Sequence, residues 1–500
     1  MLLALAILPL AAAIVSFFIT RDKPRRMVLV GTSACHLLLA ASCLVRVPEP
    51  LGSLLALDAV GRIILTLTSL LFFCAAVYAA GYLERESEPP HKAYRHRLQF
   101  TNAPEAVFTG CLLFFLTAAT TATMAQHLGL LWVTIEATTL ASAPLIYFHR
   151  HRNSLEATWK YLMICSVGIA LALLGNFLLD VAWQQPEGSA VDMTMPSLLA
   201  RPGNVSTPWF KAAFIFMFIG YGTKMGLAPM HTWLPDAHSE APALVSCLLS
   251  GALLNCAFLG IYRLHQLSLA AGFAAFSREL FILFGLFSLA LAAMFIVNQG
   301  DFKRMLAYSS VEHMGIILLA IGLGGFSTGG GILHVVFHSL TKGALFMLAG
   351  NILAAYHSKL VRDVPGIVKT MPITGILWTA GFLAILGTPP FGIFISEFTI
   401  LRGMMQQNFL LVPCLYLLFL AIIFVGMATS CLNMIQGIPP RDMATATKGP
   451  HPGLVRETAW TTVPPACLLI LCLFFGLYRP AWFTTLINAA ASAVSGNLPL

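Results

Sequence analysis

Apolar runs of roughly 20 residues alternate along the whole chain with short polar punctuation, the spacing of helices that cross a hydrocarbon core. About 14 runs are present, centred near residues 10, 37, 70, 116, 138, 168, 219, 253, 287, 314, 344, 386, 421 and 473. The pattern predicts an all-α polytopic membrane protein. A β-barrel would show short alternating segments instead. No polar stretch is longer than about 25 residues, so no soluble domain is expected. Residues 1–20 lack a basic leader region and are followed by Arg21-Asp-Lys-Pro-Arg-Arg26, which reads as a first span rather than a cleaved signal.

Two runs are interrupted. The seventh leads into Gly226-Leu-Ala-Pro-Met230, and the twelfth contains Gly387-Thr-Pro-Pro-Phe-Gly392. Proline removes a backbone donor and clashes with the preceding turn, so each helix should break near mid-membrane. Such a break is tolerated only where the freed backbone is buried in protein or faces water. The breaks are five spans apart. Two inverted five-helix repeats, spans 4–8 and 9–13, would each carry a broken helix in fourth place, with Lys224 and Glu397 in related positions. The chain then divides into helices 1–3 with a cytoplasmic loop (residues 1–105), a first repeat (106–265), a second repeat (266–436), and a loop with the last helix (437–500).

Composition agrees with this reading: 58% of residues are hydrophobic, 10% are charged and mean hydropathy is +0.81, against about 25% charged residues in soluble domains. The net charge of +8 is spread over short loops and forms no nucleic-acid surface. Loops after odd-numbered spans hold 18 lysines and arginines, against 8 after even-numbered spans. By the positive-inside rule the odd loops are cytoplasmic, and both termini face the non-cytoplasmic side of the cell inner membrane. The 11 cysteines form no CxxC and mostly sit inside apolar runs, where they pack as small hydrophobes. No cofactor or metal ligation is expected from them.

Charges inside the spans carry the chemistry. Glu136, Lys224, Lys342 and Glu397 each lie within an apolar segment, at an insertion cost of about 2.5–3.5 kcal/mol per charge. Burial works against the charged form of a lysine, so a lysine at that depth can take up and release a proton as a carboxylate approaches or withdraws. Glu136 and Lys224 form such a couple, or a simple electrostatic staple. His334, His338 and Lys342 are spaced i, i+4, i+8 and share one helix face. That row suits stepwise proton transfer; a metal pair at His334/His338 and structural histidines are the competing readings. Glu312 and His313 could extend the row. Lys160 follows Glu156 by four residues near a span end, where both could snorkel to the interface; a helix-surface pair and a place in the proton path are both open for it. Asp301-Phe-Lys-Arg304 reads as a solvated interfacial turn, and His149-Arg-His-Arg152 as an inside-facing anchor. Within Trp233-Leu-Pro-Asp-Ala-His-Ser-Glu240, Asp236 and Glu240 could satisfy backbone donors, with His231 and His238 in packing or hydrogen-bonding roles.

Lys224-Met-Gly-Leu-Ala-Pro-Met-His-Thr-Trp-Leu-Pro-Asp-Ala-His-Ser-Glu-Ala-Pro242 resembles the signature of the antiporter-like membrane subunits of respiratory complex I, Mrp antiporters and group 4 energy-converting hydrogenases. Asp301-Phe-Lys-Arg-Met-Leu-Ala-Tyr-Ser-Ser-Val311 and Gly387-Thr-Pro-Pro-Phe-Gly-Ile-Phe-Ile-Ser-Glu-Phe398 also match. The resemblance covers residues 100–430. Val311-Glu-His-Met-Gly315 and Leu248-Leu-Ser-Gly-Ala-Leu-Leu-Asn255 are similar to the hydrogenase-4, or formate hydrogenlyase, membrane subunit of the F type. It implies 14 helices in two inverted repeats, with Glu136, Lys224, Lys342 and Glu397 as proton-carrying positions. Many complex I homologues hold lysine or histidine in the eighth helix, where this chain has Asn255; a relay there would need water or His334. The resemblance implies proton translocation coupled to a peripheral cytoplasmic redox module, alongside other membrane subunits. Iron–sulfur clusters and a nickel–iron site would belong to those partners. The alternatives are a sodium/proton antiporter subunit of Mrp type, a membrane partner of a carbon dioxide-hydrating complex, and a quinone- or haem-binding redox subunit.

Overall fold

The computed structural model describes residues 1–87, 101–183, 192–200, 205–406, 410–438 and 457–495. The basic loop residues Lys92, Arg95, Arg97, Arg201, Arg441, Lys448 and Arg456 lie outside the described residues, as does most of the loop expected to open the 437–500 segment. The described chain is helical. In order the helices are α1 (Leu2–Phe18), α2 (Asp22–Val45), α3 (Ala59–Ser87), α4 (Glu105–Met124), α5 (Leu128–Ile146), α6 (Arg152–Ala182), α7 (Met195–Ala200), α8 (Thr207–Met225), α9 (Trp233–Glu240) and α10 (Ala243–Leu248). A π-turn at Leu249–Leu253 joins α10 to α11 (Leu254–Ala270). There follow α12 (Ala274–Ile296), α13 (Phe302–Leu323), α14 (Gly325–Tyr356), α15 (Ile367–Thr370), α16 (Pro372–Ile385), α17 (Gly392–Met405), α18 (Leu411–Ile435), α19 (Ala459–Leu477) and α20 (Ala481–Ser495).

Eleven of these segments are long and apolar enough to cross a bilayer. The expected spans missing from that set are the first, seventh and twelfth. The first is short, at 17 residues. The other two are the interrupted ones: α8 gives way to α9, and α16 to α17. At the first break Gly226 is left-handed (φ 80°), and an added Cβ would lie 2.4 Å from the Leu234 side chain. The freed backbone is satisfied within the protein. Leu227 N donates to Gly222 O at 2.9 Å, Trp233 Nε1 to Thr223 O at 2.8 Å, and Ala228 N to Ser288 Oγ on α12 at 3.1 Å.

Burial separates the spans into a centre and a rim. The segments Ala243–Ala270, Phe302–Leu323 and Gly325–Tyr356 are buried throughout their apolar windows, whereas α18 is 22% buried and α2 33%. The central α14 packs against α3, α10, α13, α16, α17, α19 and α20. The rim helices expose large apolar side chains such as Leu38, Met294 and Val425, as expected of faces that meet lipid tails. Helix α20 is amphipathic and lays Phe483, Leu486, Ile487 and Ala490 against the bundle. The hydropathy pattern passes over it because its apolar stripe is too narrow to resemble a span.

A two-residue ribbon pairs β1 (Thr101–Asn102) with β2 (His149–Arg150) in antiparallel register. His149 is consequently not a solvated anchor. Tyr82 Oη lies 2.9 Å from its Nε2, and Asn102 Oδ1 2.8 Å from its Nδ1. Burial, with Lys303 and His151 nearby, holds this imidazole down at about 3. The folded protein therefore refuses a proton that the unfolded chain takes up below about 6.5. The stabilising contribution is full above that pH and is lost as pH falls toward the folded value. His149→Gln is expected to flatten the acid-side decline of the melting temperature in detergent between pH of about 6.5 and about 4; an unchanged slope would rule out this histidine as its source.

Candidate functional site

Lys224 occupies the last turn of α8, where a cation complements the carbonyl end of the helix dipole. Its side chain is fully buried. The ammonium donates to Thr139 Oγ1 on α5 and, at 3.0 Å, to Tyr161 Oη on α6. Tyr161 in turn shares a 2.6 Å bond with Ser142. Glu136 is held by two hydroxyls: Thr139 donates to Oε2 at 3.0 Å and Ser166 to Oε1 at 2.8 Å. The expected couple thus exists in altered form. Among the described residues Glu136 and Lys224 make no direct ion pair; the Thr139 hydroxyl stands between them, accepting from one and donating to the other.

The second lysine also meets a hydroxyl, without a bonded carboxylate beyond it among the described residues. Lys342, on α14 and fully buried, donates to Ser309 Oγ on α13 and to Leu306 O at 2.5 Å. The histidines lie further along the same helix pair. His313 Nδ1 and His334 Nε2 are 2.8 Å apart, and His334 Nδ1 lies 2.9 Å from Ser396 Oγ on α17. Both nitrogens of His334 are engaged in hydrogen bonds, and the groups of metal-ligand chemistry gathered with it are His313 and Glu397, all three ligand atoms lying within 4.8 Å of one another, rather than His338. The ring centroids of His313 and His338 are 5.2 Å apart. His338 has no hydrogen-bond partner at either nitrogen among the described residues.

Asn255 follows the π-turn and donates to Gly251 O at 2.6 Å and to Ser339 Oγ at 2.8 Å. Its contact on α14 is thus Ser339, not His334. Ser250, within the π-turn, bonds Ser310 on α13 at 2.9 Å. His238 is fully buried, stacked on Phe346 with centroids 4.8 Å apart, and unpartnered at both nitrogens among the described residues. Glu397 sits near the start of α17, and its carboxylate lies over the second helix break. A Cβ added to Gly387 (φ 63°) would stand 2.1 Å from Glu397 Oε2.

Elsewhere the structure corrects the sequence-based expectation. Asp301-Phe-Lys-Arg304 is no solvated turn. Asp301 caps α13 by accepting from Lys303 N at 2.8 Å and Arg304 N at 3.1 Å. Lys303 is buried, with its ammonium on Ser239 O at 3.1 Å and Ala241 O at 2.6 Å. Asp236 and Glu240 satisfy side chains rather than backbone. Asp236 pairs with Lys160 and Arg304, both at 3.0 Å, and Glu240 with Lys359 at 2.7 Å and His151 at 3.6 Å. Lys160, with its 2.8 Å bond to Glu156, belongs to this charged rim and is set apart from the buried axis.

The hydroxyls Thr139, Ser309, Ser339 and Ser396 were missed from sequence. Their signal was present, since each lies three or four residues from, or beside, an intramembrane charge or histidine. Serine and threonine are too common in membrane helices for that spacing to single them out.

A bundle with two interrupted spans and a row of buried lysines and histidines flanked by part-buried acids is the architecture of an ion-translocating membrane subunit. The chain belongs to the family of NADH:quinone oxidoreductase and Mrp antiporter transmembrane subunits, whose model matches residues 125–424. It is 37% identical over 374 residues to a hydrogenase-4 component F homolog of Methylacidiphilum infernorum, covering 73% of this chain and 76% of the relative. Its fold is that of a chain in the membrane-bound sulfane sulfur reductase, an archaeal respiratory complex (TM-score 0.82, 21% identity, 99% of this chain and 97% of that one). A chain of the Mrp complex from Dietzia sp. is equally similar in fold (TM-score 0.82, 18% identity, 99% and 97%). The chain is accordingly an antiporter-like membrane subunit of the class found in hydrogenase-4, complex I and Mrp assemblies.

Gly387 offers a direct test of how Glu397 is seated. Gly387→Ala is expected to lower the detergent melting temperature more than Gly272→Ala does. Gly272 shares the left-handed backbone (φ 79°) but has nothing within 4 Å of an added Cβ. Backbone strain of about 1–2 kcal/mol is common to both, so the excess measures displacement of the carboxylate. Equal losses would mean that Glu397 moves aside freely.

Proposed function

We propose that the chain moves protons across an energy-transducing cell membrane, as one subunit of a complex whose redox reaction takes place in a peripheral cytoplasmic partner. The observation that carries this reading is the repetition of one device. In each half a fully buried lysine is bound to a hydroxyl on a helix that also carries a glutamate one turn away. A pair of fixed opposite charges would suit a structural staple. A hydroxyl suits a moving proton, because it can accept from an ammonium or donate to a carboxylate without rearranging the backbone.

On this reading the route runs through Glu136, Lys224, Asn255 with Ser339, Lys342, the histidines His313, His334 and His338, and Glu397 as the terminal acid. Two inverted repeats, residues 106–265 and 266–436, supply the two halves, and both chain termini face away from the cytoplasm. One proton moved against 100 mV costs about 2.3 kcal/mol, and nothing in the sequence resembles a nucleotide-binding loop. The energy would come from a partner that carries iron–sulfur clusters and a nickel–iron site, in a group 4 hydrogenase or formate hydrogenlyase type of assembly. The similarity to the component F homolog supports this choice.

The test is proton uptake by inside-out vesicles from cells that make the complex, followed with a pH-sensitive dye and energised by the electron donor. Lys224→Ala and Lys342→Ala are each expected to lower uptake by at least about tenfold while the complex still assembles. Uptake that persists in both variants would assign the lysines a structural role. Uptake that requires sodium rather than the electron donor would favour an Mrp-type exchanger.

A further inference from the structure

Glu312 is the acidic side chain that the route above leaves without a task. It lies on α13, 4% exposed, within one of the three spans that are buried along their whole apolar length. Among the described residues its carboxylate makes neither a hydrogen bond nor an ion pair. Glu136 differs, being held by two hydroxyls. Its neighbours on α13 meet both charged groups of this half: Ser309, three residues before it, receives the Lys342 ammonium, and a ring nitrogen of His313, the residue after it, lies within 4.8 Å of the Glu397 carboxylate. Glu312 thus lies on the stretch of α13 between the hydroxyl that receives the second lysine and the histidine beside the terminal acid.

Position along the helix supports the same placement. Lys342 bonds Leu306 O and Ser309 Oγ, and Glu312 follows Ser309 by three residues, on the same face. His313, the next residue, opens the bonded chain to His334 and Ser396. Ser396 immediately precedes Glu397, so the carboxylate side and the histidine side both lead to the same turn of α17.

The sequence shows a repeated motif. Trp132-Val-Thr-Ile-Glu136 on α5 and Tyr308-Ser-Ser-Val-Glu312 on α13 share an aromatic residue, a hydroxyl, a β-branched residue and a glutamate in the same order and spacing. These are the second helices of the two five-helix units. In both, a lysine from another span donates to a hydroxyl three residues from the glutamate: Thr139 after Glu136, and Ser309 before Glu312.

We propose that Glu312 is the switching carboxylate of the second half, accepting a proton from the Lys342 ammonium and passing it to the Glu397 carboxylate. The first transfer leaves a neutral amine and a neutral acid. The second restores the Glu312 carboxylate and protonates Glu397, so no charge or co-reactant is left unaccounted for. The chain then holds two lysine–glutamate couples. The proposal rests on the proton-carrying reading above and adds to it a residue and an order of transfer.

The experiment compares wild type, Glu312→Gln and Glu312→Asp in the same energised vesicles, across pH of about 6 to 9, with the assembled complex quantified in each. Glu312→Gln, which preserves size but cannot ionise, is expected to lower proton uptake by at least about tenfold at an unchanged amount of complex. Glu312→Asp is expected to restore uptake with a displaced pH profile, a change that a packing role would not produce. Uptake by Glu312→Gln equal to wild type overturns the proposal. If the glutamine variant fails to accumulate, the aspartate variant decides: a displaced profile supports the proposal and a superimposable one overturns it. Absence of uptake in wild type would instead defeat the underlying proton reading, so the two failures are distinguishable.

Discussion

Everything at the centre of this molecule depends on how an ionisable group can be kept inside a bilayer without being neutralised for good. A fixed salt bridge would lower the cost of insertion, but it would also hold the proton in place. The chain uses hydroxyls instead. Thr139 stands between Glu136 and Lys224, Ser309 receives Lys342, and Ser396 receives His334. Each hydroxyl can donate or accept, so the ionisable group keeps a partner whether or not it carries its proton. The complete burial of the three central spans follows from the same need, since these weak partners hold only where lipid and bulk water are excluded.

Direct opposite-charge contacts gather instead beside the first helix break. The short helix Trp233–Glu240, just past the first break, presents Asp236 to Lys160 and Arg304, and Glu240 to His151 and Lys359. Lys160 and His151 belong to α6 and its cap; Arg304 and Lys359 belong to the second half. Exposed pairs of this kind contribute only about 0–1 kcal/mol each. Here three of them, with the His151 imidazole at 3.6 Å from Glu240, share two acids on one rigid turn, and Lys303 holds the carbonyl end of that turn at Ser239 and Ala241. The broken helix is thereby tied to both halves of the bundle.

Much of the fold was legible because bilayer length and proline chemistry write strong signals: the two breaks fall where Gly226-Leu-Ala-Pro229 and Gly387-Thr-Pro-Pro390 place them. The candidate residues Lys224, Lys342, His334 and Glu397 stood out because charge is rare in apolar runs. Three things were not legible. The partner of Lys224 was misread, because sequence distance does not say which atom lies between two groups. Lys303 was read as solvated because it lies beside a polar turn; its burial comes from α9 folding over it, a tertiary event. The amphipathic helix Ala481–Ser495 was passed over because a narrow apolar stripe does not register on a scale tuned to whole spans.

The π-turn at Leu249–Leu253 has a consequence for how this site can change over evolutionary time. A π-turn is an α-helix carrying one residue in excess, and one residue corresponds to about 100° of rotation at 3.6 residues per turn. The turn absorbs that residue locally, so loss of a single codon there would restore regular α-helix and leave Asn255 on the face that meets Ser339. Point substitution can only exchange one group for another on an existing face. A one-residue change elsewhere in the eighth span has no such turn to absorb it and would rotate Asn255 by about 100°, so this turn marks the place where the span can change length and keep its contact with α14.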